Sequence, residues 1–160
     1  MSFTSPETDD YWMRVALSEA DHAVQHGDVP VGCVVVHSNG NELGRGRNRR
    51  ELENDPTAHA EVLALRLAAQ HSENWRLDGA TLYVTLEPCL MCLGAILNAR
   101  ISRLVYGAAD PKAGAVDSCY AIGRDGKLAH RISIDTGVFE RESQEKLRLF
   151  FSALRAQGKK

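Results

Sequence analysis

A histidine and a glutamate stand two apart in "TAHAE" (57–61), and two cysteines stand three apart in "PCLMC" (88–92). These residue types can hold a metal and move protons. Cys89 and Cys92 head an expected helix, where their spacing turns both sulfurs to one face, within reach of one ion. The N-terminus of a helix favours negative charge and so helps keep both as thiolates. A lone Cys-x-x-Cys also suits a redox pair or half of a structural zinc site. A four-cysteine site would need Cys33 and Cys119 as well. Cys33 lies in "VGCVVV", where a small buried hydrophobe is the simpler reading, and Cys119 falls unassigned in a long loop. The remaining soft ligand is a histidine. Of the six in the chain, His59 alone heads a helix in a βα-type connection. Cysteine and histidine together favour zinc.

Three ligands, His59, Cys89 and Cys92, leave one tetrahedral position open, which separates a catalytic zinc from a structural one. Water would fill it. Two thiolates cancel the charge of the ion, so deprotonating that water calls for a nearby base, and Glu61 is the candidate. On a regular helix, positions i and i+2 point roughly 200° apart. His59 and Glu61 can face one point only from a first turn, which places the expected site between two helix N-termini, one from each motif.

The elements that must position these groups can be read from periodicity. A helix is expected from Tyr11 to His26, with Gly27 ending it. Strands at 31–37 and 42–48 flank the turn signal Asn39-Gly40. Thr57 is the expected N-cap of the "AHAEVLALRLAAQ" helix. A strand (80–87), a helix apolar nearly all round and hence central (88–99, with Pro88 in its first turn) and a strand (103–108) follow. A loop (109–126), a strand (131–135) and a closing helix (140–157) complete the chain. The order α-β-β-α-β-α-β-β-α implies an α/β fold: a mixed five-stranded sheet, hairpin first and parallel later, with helices on both faces.

At 160 residues the chain fits a single domain, with residues 1–9 expected to form a flexible N-terminal segment. Its 44% hydrophobic and 25% charged residues are those of an ordinary globular protein. No apolar run approaches the roughly 18 residues of a membrane span. The start, "MSFTSPETDDYW", lacks the basic end and apolar middle of a signal peptide, so a cytoplasmic protein is expected. A net charge of −2 excludes a generic polyanion binder. The candidate for a local basic patch is "RGRNRR" (45–50), although charge alone reads first as a solvated loop or edge strand.

The joint pattern His-x-Glu and Pro-Cys-x-x-Cys is that of the zinc deaminases. From about Tyr11 to Phe151 the chain closely resembles the bacterial tRNA-specific adenosine deaminases. The resemblance runs through "VPVG" (29–32), "GRNR" (46–49), "DPTAHAE" (55–61), "LYVTLEPCLMCLGA" (82–95), "YGAADPKAGA" (106–115) and "HRISI" (130–134). It implies a three-layer α/β/α cytidine-deaminase-like fold, one zinc per subunit, and a homodimer. It also implies hydrolytic conversion of adenosine to inosine at the first anticodon position, with a tRNA anticodon stem-loop, of an arginine tRNA, as substrate. Glu61 would then shuttle protons from water to the ring nitrogen N1 and to the departing amine. Asn48 matches the asparagine that hydrogen-bonds the target base, and Val29, Ala60 and Leu86 match pocket-lining positions. Asp110 matches a position beside the flanking nucleotide, where capping of a loop ahead of Pro111 is equally in keeping. Arg47, Arg49, Lys112 and Arg131 are candidates to meet phosphates. Phe150 and Phe151 match an aromatic pair near the flanking nucleotides, but with Leu147 and Leu154 they also form a stripe suited to core packing. Ala109 stands where relatives often carry a larger or charged residue. Two other readings share the motifs: a deaminase of a free base or nucleotide, such as guanine or a cytosine derivative, and a non-catalytic RNA-binding module with a structural zinc.

Overall fold

The computed structural model describes residues 5–159. Helix α1 spans Pro6–Gln25, five residues earlier than periodicity placed it. Ser5 caps it, its Oγ accepting from the Thr8 N–H at 3.3 Å, and Pro6 occupies the first turn, where a missing N–H costs nothing. Of the nine residues expected to be flexible, 1–4 lie outside the described residues, and the rest belong to this cap and helix. Asp9 is anchored: Arg103 grips its two carboxylate oxygens at 2.7 Å each, and the Tyr83 hydroxyl donates to it at 2.8 Å.

Strands β1 (Gly32–Val36), β2 (Glu42–Arg47), β3 (Thr81–Leu86), β4 (Arg103–Ala108) and β5 (Ser133–Thr136) form one sheet in the order β2-β1-β3-β4-β5. β1 pairs antiparallel with β2 and β3, while β3, β4 and β5 run parallel. The expected mixed sheet is therefore present. Side chains alternate between its faces as the period of two requires. Val34, Val36, Tyr83 and Val105 pack beneath α1 with Met13 and Ala16. Cys33, Val35, Leu82, Val84 and Leu104 face the opposite side. There they meet helices α3 (Ala60–Ser72) and α4 (Leu90–Asn98) through Ala64, Leu93 and Ile96. Helix α5 (Glu140–Ala156) joins α1 on the first face, which completes three layers.

Four local expectations change. A short helix α2 (Arg50–Glu53) interrupts the loop after β2. Thr57 does not cap α3, because Asp55 Oδ1 takes both its N–H (2.8 Å) and its hydroxyl (2.7 Å) in a tight turn, and the cap passes to His59. Pro88 precedes the cap of α4 rather than occupying its first turn, and α4 is not buried all round: Leu90 and Met91 are exposed.

The topology collects one set of chain ends. The approach to β1, the exits of β2, β3 and β4, and the starts of α3 and α4 all lie at the same end of the sheet. Ligand sites of open α/β sheets form at the carboxyl ends of parallel strands. β2 lets α3 come close because its glycines carry no side chain there: a Cβ on Gly46 would lie 2.5 Å from the Ala60 carbonyl oxygen.

Candidate active site

His59 is the N-cap of α3, with φ −80° and ψ 152°, and Cys89 is the N-cap of α4, with φ −75° and ψ 175°. Both are extended, and neither side chain caps its own helix. They turn towards each other instead. His59 Nδ1 lies 3.7 Å from Cys89 Sγ and 3.4 Å from Cys92 Sγ, and the three donor atoms fall within 4.8 Å of one another. Ordinary zinc bond lengths at tetrahedral angles separate nitrogen from sulfur by about 3.6 Å. The donor set thus fits a zinc ion by spacing as well as by chemistry. The extended cap also resolves the two-residue problem, since Glu61 is in the first turn but His59 precedes it.

The electrostatics of the cluster agree. A hydrogen bond from Cys92, reinforced by His59 against the opposing effect of burial, pushes the Cys89 thiol down to about 4. The same bond, with burial and the Glu61 charge, drives Cys92 upward. His59 is raised, first by its bond to Cys89. A divalent cation between the sulfurs would displace any thiol proton left there.

Glu61 is only 4% exposed, and burial raises its carboxyl. It lines a cavity of about 210 Å³ together with His59 and Cys89, while Cys92 lies wholly buried behind them. Val29, Asn48, Ala60, Leu86 and Asp110 line the same cavity. The structure therefore brings together the expected metal ligands, Glu61 and these five residues, whereas Arg47, Arg49, Lys112, Arg131, Phe150 and Phe151 do not line the cavity.

Residues 6–108 match the pattern of the cytidine and deoxycytidylate deaminase zinc-binding region. The tRNA-specific adenosine deaminase of Haemophilus influenzae is 47% identical over 153 residues, spanning 96% of this chain and 88% of the relative. The chain belongs to the tRNA-specific adenosine deaminase family. A solved structure from a study of A-to-I editing by tRNA:A34 deaminases at the wobble position of transfer RNA superposes with a TM-score of 0.81 at 45% identity, covering 86% of this chain and 99% of that one. A guanine deaminase from Bacillus subtilis superposes with a TM-score of 0.60 at 40% identity, covering 62% of this chain and 64% of that one.

In this family member Asn48 has two local tasks. Its Nδ2 donates to the Val29 carbonyl at 3.2 Å and its Oδ1 accepts from the Arg50 N–H at 3.1 Å, which ties the two walls of the cavity together. Each group keeps one further hydrogen-bonding site. Asp110 caps its own loop, its Oδ1 accepting from the N–H groups of Lys112 (3.0 Å) and Ala113 (3.3 Å). Lys112, Ala109 and Arg131 are exposed.

The arginine cluster is not a bare positive surface. Arg45 pairs with Glu42 and Glu19, Arg47 with Glu19, Arg49 with Glu53 and Arg50 with Glu51. Phe150 and Phe151 stack edge to face at 5.5 Å, with Phe151 exposed, so the stripe they share with Leu147 and Leu154 is not core. Cys33 is fully buried as expected, and burial raises its thiol. Cys119 is exposed.

Sequence reasoning missed Val31, Arg50, Glu87 and Ala113 among the lining residues. Glu87 had a visible signal: an acid directly after an apolar strand with no cation beside it. Burial acts to raise this carboxyl, but bonds from the N–H of Asp117, the hydroxyl and N–H of Ser118 and the N–H of Asp110 hold it below the usual range.

Proposed function

We propose that this chain hydrolyses adenosine to inosine at the first anticodon position of a tRNA, an arginine tRNA being the expected substrate. The observation that carries the reading is Glu61: a buried carboxylate outside the His59–Cys89–Cys92 donor set that shares their cavity. A structural metal site has no use for such a group. The cavity, about 210 Å³, is below the roughly 300–1,000 Å³ of sites for drug-sized ligands. It suits a single base turned out of its stack, which an anticodon loop supplies at little cost.

His59, Cys89 and Cys92 would hold a zinc ion, which when bound would supply a Lewis acid to polarise the water. Glu61 takes a proton from the attacking water and delivers it to N1 of the base. The water oxygen bonds to C6, the bond from C6 to the exocyclic nitrogen breaks, and the second water proton leaves with the amine by way of Glu61. Water and adenosine thus become inosine and ammonia. Asn48 holds the base edge, Val29, Ala60 and Leu86 grip its faces, and Asp110 meets the flanking nucleotide. The exposed Phe151, with the half-buried Phe150 edge-on beside it, suits stacking beyond the cavity. Arg47 and Arg49, once Glu19 and Glu53 exchange for them, and the exposed Lys112 and Arg131 would meet phosphates.

The chain acts as one deaminase domain in the cytoplasm, and as a homodimer. No helix among the described residues is long and apolar enough to cross a membrane. The seam between α3 and α4 suits a second copy, because Leu90 and Met91 on α4 and Trp75 just beyond α3 are exposed. Sedimentation at micromolar concentration reads the dimer directly.

A second reading, deamination of free guanine, draws on the 40% identity to the Bacillus subtilis guanine deaminase. One experiment separates the two. An unmodified tRNA transcript with adenosine at the first anticodon position is incubated with the zinc-loaded protein and sequenced, and ammonia release from guanine is followed in parallel. Inosine at that position alone supports the proposal, and ammonia from guanine without inosine replaces it.

A further inference from the structure

Glu87 is 2% exposed and sits between the end of β3 and the metal-side N-cap of α4. Its Oε2 accepts from the N–H groups of Val116 (3.1 Å), Asp117 (2.9 Å) and Ser118 (3.0 Å). Its Oε1 accepts from the Asp110 N–H at 3.1 Å and from the Ser118 hydroxyl. One carboxylate thus gathers both ends of the turn-rich segment 110–118, whose Asp110 and Ala113 form one wall of the cavity. The backbone adds a clasp from the Ala115 N–H to the Pro88 carbonyl at 2.9 Å. Gly114 lies so close that any Cβ there would strike the Glu87 carboxylate.

We propose that Glu87 is a positioning residue, which fixes segment 110–118 as the wall that receives the substrate and so sets how tightly the substrate is held rather than how fast it reacts. The inference rests on the tRNA reading above for its kinetic test, but not for its structural one. Every described partner of the carboxylate is a donor, so a group that only accepts is required. Glu87→Gln keeps the volume and introduces two N–H donors. At Oε2 the amide would face three N–H groups. At Oε1 it meets one N–H and a hydroxyl that can turn round and accept. The amide therefore settles at the Oε1 position and releases the Asp110 N–H, while 116–118 stay tied. The variant detaches the one clamped residue that lines the cavity.

The experiment compares Glu87→Gln and Ser118→Ala with the parent chain, each zinc-loaded and with metal content measured. The substrate is an anticodon stem-loop bearing adenosine at the first anticodon position. With Glu87→Gln, KM is expected to rise about tenfold while kcat stays within about threefold, one bond's worth of substrate binding being lost. Ser118→Ala, which removes a single donor, gives a smaller rise of the same kind and serves if Glu87→Gln does not fold. Amide hydrogen exchange should show faster exchange at Asp110 than in the parent, with Val116 to Ser118 still protected. An unchanged KM in the folded variants, or a fall in kcat alone, overturns the proposal. If the parent chain makes no inosine, the tRNA reading fails by itself, and the exchange pattern still decides the role of Glu87: protection at Asp110 equal to the parent's would reject it.

Discussion

Asp28→Ala should lower the stability of the chain more than any other single change in its loops. Asp28 is fully buried between α1 and β1. Its Oδ1 accepts from the Glu51 N–H at 2.7 Å, and its Oδ2 from the Leu52 N–H at 3.1 Å and from His26 Nδ1 at 2.8 Å. Arg47 Nε donates to His26 Nε2 at 3.2 Å, so the imidazole proton lies on Nδ1. Hydrogen bonds to a charged acceptor contribute about 1.5–3 kcal/mol each. α2 has no buried residue, so its freed N–H groups regain water and part of this is recovered. A net loss of about 3–5 kcal/mol remains. For a chain of this size that lowers Tm by about 10 °C, read by thermal unfolding of the zinc-loaded protein at pH 7. Asp28→Asn should lie between the two. Its amide must face either Glu51, or Leu52 and His26, and a turned imidazole would set its other N–H against Arg47. A fall of less than about 3 °C for Asp28→Ala, or an Asn variant as stable as the parent, would refute the network.

Chelation of the metal should abolish turnover and lower Tm, both restored by adding zinc back, because the ion binds only the folded arrangement of His59, Cys89 and Cys92; a Tm indifferent to chelator would contradict it. Gly46→Ala should cost about 1–3 kcal/mol, since its methyl group meets the Ala60 carbonyl at 2.5 Å and must push α3 off β2; calorimetry would expose an error as an unchanged Tm. Burial acts to raise Asp117, but the Arg124 guanidinium and the Tyr106 hydroxyl outweigh it and hold the carboxyl below its usual value. Its contribution is therefore complete above the unfolded carboxylate's pKa of about 4 and is lost as pH falls through the lower folded value. Asp117→Asn should flatten Tm against pH below about pH 4, by no more than about 2 °C because the pair is partly in solvent.

What the sequence made legible was local. The spacings in "TAHAE" and "PCLMC" name the donors, and the requirement that His59 and Glu61 share a target places both at a helix start, as the structure bears out. Alternating strands and helices yield the sheet, because side-chain direction follows directly from backbone period. The failures are long-range polar bonds. Glu87 and Asp28 read as connectors in "LEPC" and "GDVP", and, His26 beside Asp28 apart, their partners lie 23 or more residues away. Thr57 offered good cap chemistry, but Asp55 took its donors first. The apolar circumference of α4 suggested full burial, although Leu90 and Met91 face outward.

Glu61→Gln, measured against the parent chain with zinc content determined for both, tests the central claim most directly. With metal and fold retained, turnover of an adenosine-bearing anticodon stem-loop should fall at least about 100-fold, since the amide cannot carry a proton from water to N1. A variant that holds its zinc and still turns over within severalfold of the parent would remove Glu61 from the chemistry, and with it the reading of this cavity as a deaminase site.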